Sequence, residues 1–145
     1  MARTSTYLNF MGKTEEAFDF YRTVFKTDFI TAPQRMGDVP PGPGAPQLSD
    51  AEKRLIMHVA LPVVGGHVLM GTDALESMGH KVIMGTNVSI NVEPDSRDEA
   101  RRLFSALAAG GKITIELQDM FWGALFGSLT DKFGVQWMVN CSASE

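Results

Sequence analysis

The run TYLNFM, residues 6–11, is short and apolar, as a strand is, and it breaks at Gly12. Beyond it, in KTEEAFDFYRTVFKTDF, Ala17, Phe20, Tyr21 and Val24 recur at helical spacing, with Thr14 placed as N-cap and Glu15 and Glu16 suited to the positive end of the helix dipole. The pattern predicts a strand followed by an amphipathic helix. It then recurs. NVSINVEP, residues 87–94, alternates Val88, Ile90 and Val92 with polar residues, and Ser96 to Glu99 has the S-x-x-E form of a capping box. Ala100, Leu103, Phe104 and Leu107 make the buried stripe of this second helix, which Gly110-Gly111 ends.

The stretches after the two helices also match. KRLIMHVALPVVGGHVLMGTD reads as two strands joined at Gly65-Gly66, and FWGALFGSLTDKFGVQWMVN as two strands joined through Asp131 to Gly134. The expectation is an α+β fold of two βαβββ modules with concave mixed sheets, about 3–74 and about 85–141. One such repeat cannot bury its own sheet, because its edges and concave face need the other half or another subunit. Residues 33–50, PQRMGDVPPGPGAPQLSD, hold five of the seven prolines and read as a loop, either a plain insertion or a lid.

Composition narrows the function. With 44% hydrophobic and 21% charged residues, a net charge of -4 and no basic run, the chain is expected to be a globular protein that binds neither nucleic acid nor membrane. The N-terminus has no apolar segment of the signal-peptide kind, so a cytoplasmic location is expected. Cys141 is the only cysteine, which excludes an internal disulfide and any cysteine-based metal cluster.

The segments NFMGKTEEAFDFYRTVF, IMHVAL and above all FWGALFGSLTDKFGVQWMVNC resemble the PhnB-like branch of the vicinal oxygen chelate superfamily, which includes glyoxalase I, extradiol dioxygenases and the bleomycin and fosfomycin resistance proteins. The resemblance covers nearly the whole chain. It implies paired modules, a homodimer in which modules of different subunits may pair, and a cleft for a small molecule. Some relatives carry the label 3-demethylubiquinone methyltransferase, but the chain has no glycine-rich strand-to-helix turn of the type a nucleotide-like cofactor needs.

In metal-using members, first and last strands of each module supply His, Gln and Glu. The resemblance carries those places to Thr6, Met70, Asn87 and Met138, none of them a carboxylate or imidazole. Thioethers suit neither hard nor borderline divalent ions, so no metal or other cofactor is expected at those positions. A slip of one residue in register would present Tyr7, Leu69, Val88 and Trp137, which are no better. In the register adopted, Leu8 and Phe10 face the cavity and Asn9 faces the helix.

His58 stands in the apolar strand LIMHVAL. It reads either as a general base or lone metal ligand facing the cavity, or as a half-buried histidine bonded to a backbone group, the reading favoured by the lack of a partner acid nearby in sequence. His67 and His80 are expected to be exposed. Asp73 and Asp119 are candidate acids at a cavity mouth, yet aspartate at a strand end more often caps backbone amides. Glu116 is expected to point to solvent. Phe121, Trp122 and Trp137 read as an aromatic wall for a flat ligand or as packing.

Asn87, Ser89, Asn91, Gln136 and Asn140 are expected on the concave face beside Met70 and Met138, a neutral, hydrogen-bonding surface. The favoured reading is a protein that binds a small organic molecule in the inter-module cleft, lined by Thr6, Met70, Asn87, Ser89, Trp122, Gln136, Met138 and Asn140, without the superfamily's metal. The alternative is a lyase or dioxygenase-like enzyme that uses His58 as acid–base group or metal ligand, with Asp73 or Asp119 beside it.

Overall fold

A computed structural model describes residues 1–144, which divide into two compact units, Met1–Val82 and a second from Ile83 onward. In the first, the strands β1 (Thr6–Phe10), β2 (Gln34–Arg35), β3 (Ile56–Pro62) and β4 (Val68–Asp73) form one sheet in the order β1-β4-β3-β2. Only β1 and β4 run parallel. Helix α1 (Thr14–Phe25) covers one face of this sheet. Its buried stripe is Thr14, Ala17, Phe18, Tyr21 and Val24, while Phe20 is only half-buried.

Thr14 is not the N-cap. It is the first helical residue, Lys13 stands at the cap without a side-chain bond, and the Thr14 hydroxyl donates to Asp73. The stretch 33–50 is also more ordered than its prolines imply. Gln34 and Arg35 pair with β3 as a short edge strand, the one place in a sheet that tolerates flanking prolines, and Met36–Asp38 turn as a 3-10 helix. Ser49 and Glu52 form a capping box on the one-turn helix α2 (Asp50–Lys53).

The register of β1 reverses the expected faces. Leu8 lies beside Gly71, which Val59 also opposes, and a Cβ on Gly71 would fall 2.5 Å from the Phe18 ring, so this is the face under α1. Thr6, Leu8 and Phe10 therefore face the helix. Tyr7 and Asn9 face the open side, with Tyr7 opposite Met70 and Asn9 opposite Thr72. The physical reason is that the covered face takes the apolar residues, and here α1 provides the cover.

The second unit repeats the topology. Strands β5 (Ile90–Val92), β6 (Lys112–Asp119), β7 (Leu125–Thr130) and β8 (Gln136–Cys141) pair in the order β5-β8-β7-β6, with β5 parallel to β8, and helix α3 (Arg97–Ala108) follows β5. The Ser96 hydroxyl accepts the Glu99 amide at 3.1 Å, and Ala100, Leu103, Phe104 and Leu107 are all buried, as the sequence predicts. Trp137, Val139 and Cys141 of β8 share the covered face with Leu125, Gly127 and Leu129 of β7. Asn87, Val88 and Ser89 precede β5 and are exposed. The strand is shorter than its alternation implies because only Val92 of the three apolar residues is buried.

Candidate functional site

The first unit's open face carries one titratable cluster. Tyr7 on β1 and His58 on β3 meet across the intervening strand β4, with Tyr7 Oη and His58 Nδ1 3.1 Å apart and their ring centroids 5.9 Å apart. His58 thus bonds to a phenol and not to a backbone group. Burial pushes the Tyr7 phenol above its ordinary value. Gln34 stands opposite His58, Ala60 opposite Met70, and the Ser5 hydroxyl reaches the Met70 sulfur at 3.9 Å.

The second unit's open face carries amides, hydroxyls, a thioether and the Phe126 ring, with the Glu93 carboxylate at its edge. Asn91 stands opposite Met138, which stands opposite Ser128, whose hydroxyl meets that of Thr114 at 2.6 Å. On either side, Thr130 donates to Gln136 at 3.1 Å and Asn140 donates to Glu93 at 3.2 Å. Phe126 lies opposite Asn140, and the Trp122 ring lies 6.1 Å from it. Phe121, 96% exposed, stacks edge-on against Trp122, 52% exposed, at the β6–β7 turn. The expected aromatic wall is therefore split, because Trp137 is fully buried on the opposite face.

Neither aspartate named as a candidate acid lies on an open face. Asp73 is 3% exposed, and its Oδ1 accepts the Gly12 amide, the Thr14 amide and the Thr14 hydroxyl, while Oδ2 accepts the Ile56 amide. That carboxylate holds the start of α1 and the start of β3. Asp119 does not act as a cap. It is an exposed partner of Arg97, whose Nε donates to the Ala143 carbonyl at 2.9 Å. Sequence reasoning passed over Asp131, whose Oδ1 accepts the Phe133 and Val135 amides and whose Oδ2 accepts Trp137 Nε1. The D-x-x-G turn from Asp131 to Gly134 was the available signal.

His67 is half-buried and lies 2.9 Å from the Thr6 hydroxyl, contrary to the expected exposure, while His80 and Glu116 are exposed. Two solvent-open concavities of about 500 Å³ lie away from the open faces, one lined by Gly12, Glu52, Leu55 and Leu75, the other by Arg101, Phe104, Ile113 and Glu116. In the first, the Glu52 carboxylate is already engaged by Ser49 and Ser77.

The donor chemistry does not fit a divalent metal. The first open face offers one imidazole beside a phenol and a thioether, the second amides, a thioether and the single Glu93 carboxylate, whereas such ions need several carboxylates, imidazoles or thiolates. Among the described residues no three His, Cys, Asp or Glu side chains cluster. A nucleotide-like methyl donor fits no better. The amides of Gly12 and Thr14 at the start of α1 are already given to Asp73, and the turn before α3 contains no glycine.

Two four-stranded mixed sheets, each with a helix on one face, define the glyoxalase/bleomycin resistance fold. A glyoxalase/bleomycin resistance protein/dioxygenase family enzyme from Burkholderia phytofirmans shares it at a TM-score of 0.62 and 17% identity, covering 95% of this chain and 98% of that one. The chain itself belongs, in the PhnB-like branch, to the family described as 3-demethylubiquinone-9 3-methyltransferase, which it matches over residues 2–140. Protein YjdN of Escherichia coli is 32% identical over 94% of this chain and 92% of its own length. Protein PA1353 of Pseudomonas aeruginosa is 38% identical with a TM-score of 0.84, covering 99% of this chain and all of the other. The PhnB protein of Bacillus cereus is 26% identical with a TM-score of 0.75, over 97% and 99% of the two chains. No helix among the described residues is long and apolar enough to cross a membrane.

Proposed function

We propose that the protein binds a small, flat, neutral organic molecule on the open face of its second sheet and does so without the superfamily's metal. The row Asn91, Met138, Ser128 and Thr114 carries this reading. It offers donors and acceptors that do not change charge, with an adaptable thioether among them, which suits recognition better than proton transfer. Phe126 and Trp122 at one end supply ring faces for stacking. The family's description names a demethylubiquinone, a ring bearing oxygen substituents, and a ligand of that shape suits the row. Methyl transfer is no part of the reading, since the turns before both helices lack a place for the donor.

The test begins with non-denaturing mass spectrometry of protein purified from its own host, followed by calorimetry with whatever small molecule it retains. Asn91→Leu and Trp122→Ala should each weaken binding by about tenfold, and His58→Ala by no more than a few fold. The reading falls if nothing is retained and no benzoquinone or phenol in a panel raises the melting temperature. The Tyr7–His58 pair keeps one second reading in play, an enzyme with His58 as acid–base group. Turnover lost in His58→Gln while binding persists would establish it.

A further inference from the structure

We infer that Arg97 is a positioning residue for the second sheet's open face: it clasps the β6–β7 turn from the helix side and so sets where the Trp122 ring lies. The functional consequence rests on the binding reading proposed above, but the clasp itself is tested without any ligand. Arg97 is the first residue of α3, at the helix end whose dipole favours acids, and Asp98 and Glu99 take the next two places. A cation at that end gains nothing from the helix. Its side chain is nevertheless only 11% exposed, so its place is explained by what it holds.

One terminal nitrogen of the guanidinium donates to the Asp119 carboxylate and the other to the Gly123 carbonyl at 3.5 Å, while Nε donates to the Ala143 carbonyl at 2.9 Å. Asp119 and Gly123 are the two feet of the turn. Between them the Met120 amide donates to the Ala124 carbonyl at 2.8 Å and the Gly123 amide to the Met120 carbonyl at 3.0 Å, so the turn closes on itself. Those bonds fix its shape but not its angle to the sheet. Burial does not fix that angle either, with Phe121 96% and Trp122 52% exposed. Arg97 does so by drawing on Asp119 from the covered side, where Asp119 stands opposite Leu125, which leaves Trp122 beside Phe126 on the other side. The bond to Ala143, two residues beyond β8, joins the end of the last strand to the same planar fork. Lysine is a point charge on a flexible stem and cannot span these acceptors in a fixed plane.

The chain has two tryptophans, and Trp137 is fully buried on the covered face. Protein labelled with fluorotryptophan should therefore give one fluorine resonance from the tip and one from the core, assigned with Trp122→Ala. Arg97→Lys should move the Trp122 resonance toward that of the free amino acid and leave Trp137 in place. Asp119→Asn should move it the same way by less, and it decides the matter if Arg97→Lys does not fold. Ser96→Ala, which removes a cap bond at the same helix start, should leave both resonances unchanged. With 4-methoxyphenol as a neutral probe in calorimetry, Arg97→Lys should weaken binding about fivefold and Ser96→Ala by less than about twofold. Added to Trp122→Ala, Arg97→Lys should cost less than about a further twofold, since it acts through that ring. A Trp122 resonance that stays within its wild-type linewidth in both Arg97→Lys and Asp119→Asn overturns the inference, as does an undiminished loss from Arg97→Lys in the Trp122→Ala background. A resonance that moves in protein that binds no probe supports the clasp and counts against the second-sheet reading alone.

Discussion

Asp73→Ala should destabilise the protein more than any exposed substitution in it. The wild-type carboxylate satisfies four donors, of which the Thr14 amide, the Thr14 hydroxyl and the Ile56 amide are in buried bonds and the Gly12 amide sits nearer solvent. A buried donor left without a partner costs about 1–3 kcal/mol. Three such donors set an upper bound, which water entering the vacated space and rotation of the Thr14 hydroxyl reduce to about 3–5 kcal/mol. Asp73→Asn isolates the chemistry from the volume. The oxygen facing three donors can be kept only by turning the new amide toward the Ile56 N–H, donor against donor, at a cost of about 1–3 kcal/mol. Urea unfolding followed by circular dichroism measures both. With a slope of about 2 kcal/mol/M, the Ala midpoint should fall by about 2 M with the slope unchanged. Asp119→Ala, which removes an ion pair whose carboxylate is largely exposed, should cost about 1 kcal/mol. An Asp73→Ala midpoint within about 0.5 M of wild type would refute the reasoning.

Gly71→Ala should cost about 1–3 kcal/mol or more, because the new methyl would sit 2.5 Å from Phe18 on a fully packed face; an unchanged melting temperature would mean that α1 can lift from the sheet without penalty. Ser96→Ala removes the hydroxyl that accepts the Glu99 amide and should lose about 1 kcal/mol in urea titration, whereas Lys13→Ala, at a cap that makes no side-chain bond, should lose little. Burial holds Tyr7 above its ordinary value, so as pH rises past that value the unfolded chain releases a proton that the folded chain retains. Stability should therefore fall with rising pH in that alkaline range, and Tyr7→Phe should flatten the fall; equal slopes for the two proteins would show that the phenol is not shielded.

Local rules made the two helices legible. The Ser96 cap and the stripe from Ala100 to Leu107 depend on spacing within one segment, and the structure reproduces them. The faces of β1 were harder, because alternation says that Leu8 and Phe10 share a side but not which side is covered. The signal lay elsewhere, in a glycine at position 71 that admits the Phe18 ring. The Tyr7–His58 pair and the Asp73 bonds join residues 51 and 59–61 positions apart, and no local pattern encodes such distances. Asp131 differs. The Phe133, Val135 and Trp137 donors that it accepts all lie within six residues, so a closer reading of the turn could have found it.

The covered and open faces divide the labour between folding and recognition. On each covered face a helix aromatic closes over a strand glycine, Phe18 over Gly71 and Phe104 over Gly127, and a buried aspartate fastens nearby backbone. These features leave little freedom, since interiors pack at crystal-like density. The open faces are under no such constraint, and they differ. One carries a phenol and an imidazole, the other amides, hydroxyls and a thioether with one carboxylate at the edge, on sheets of the same strand order. If that division is real, Met70→Leu and Ser128→Ala should each change stability by less than about 1 kcal/mol, as partly exposed, near-isosteric substitutions do. Ser128→Ala should also weaken binding of the neutral ligand severalfold in calorimetry, whereas Met70→Leu, on the first sheet, should leave it within about twofold of wild type; an equal loss in the two variants would mean that recognition is not confined to the second sheet.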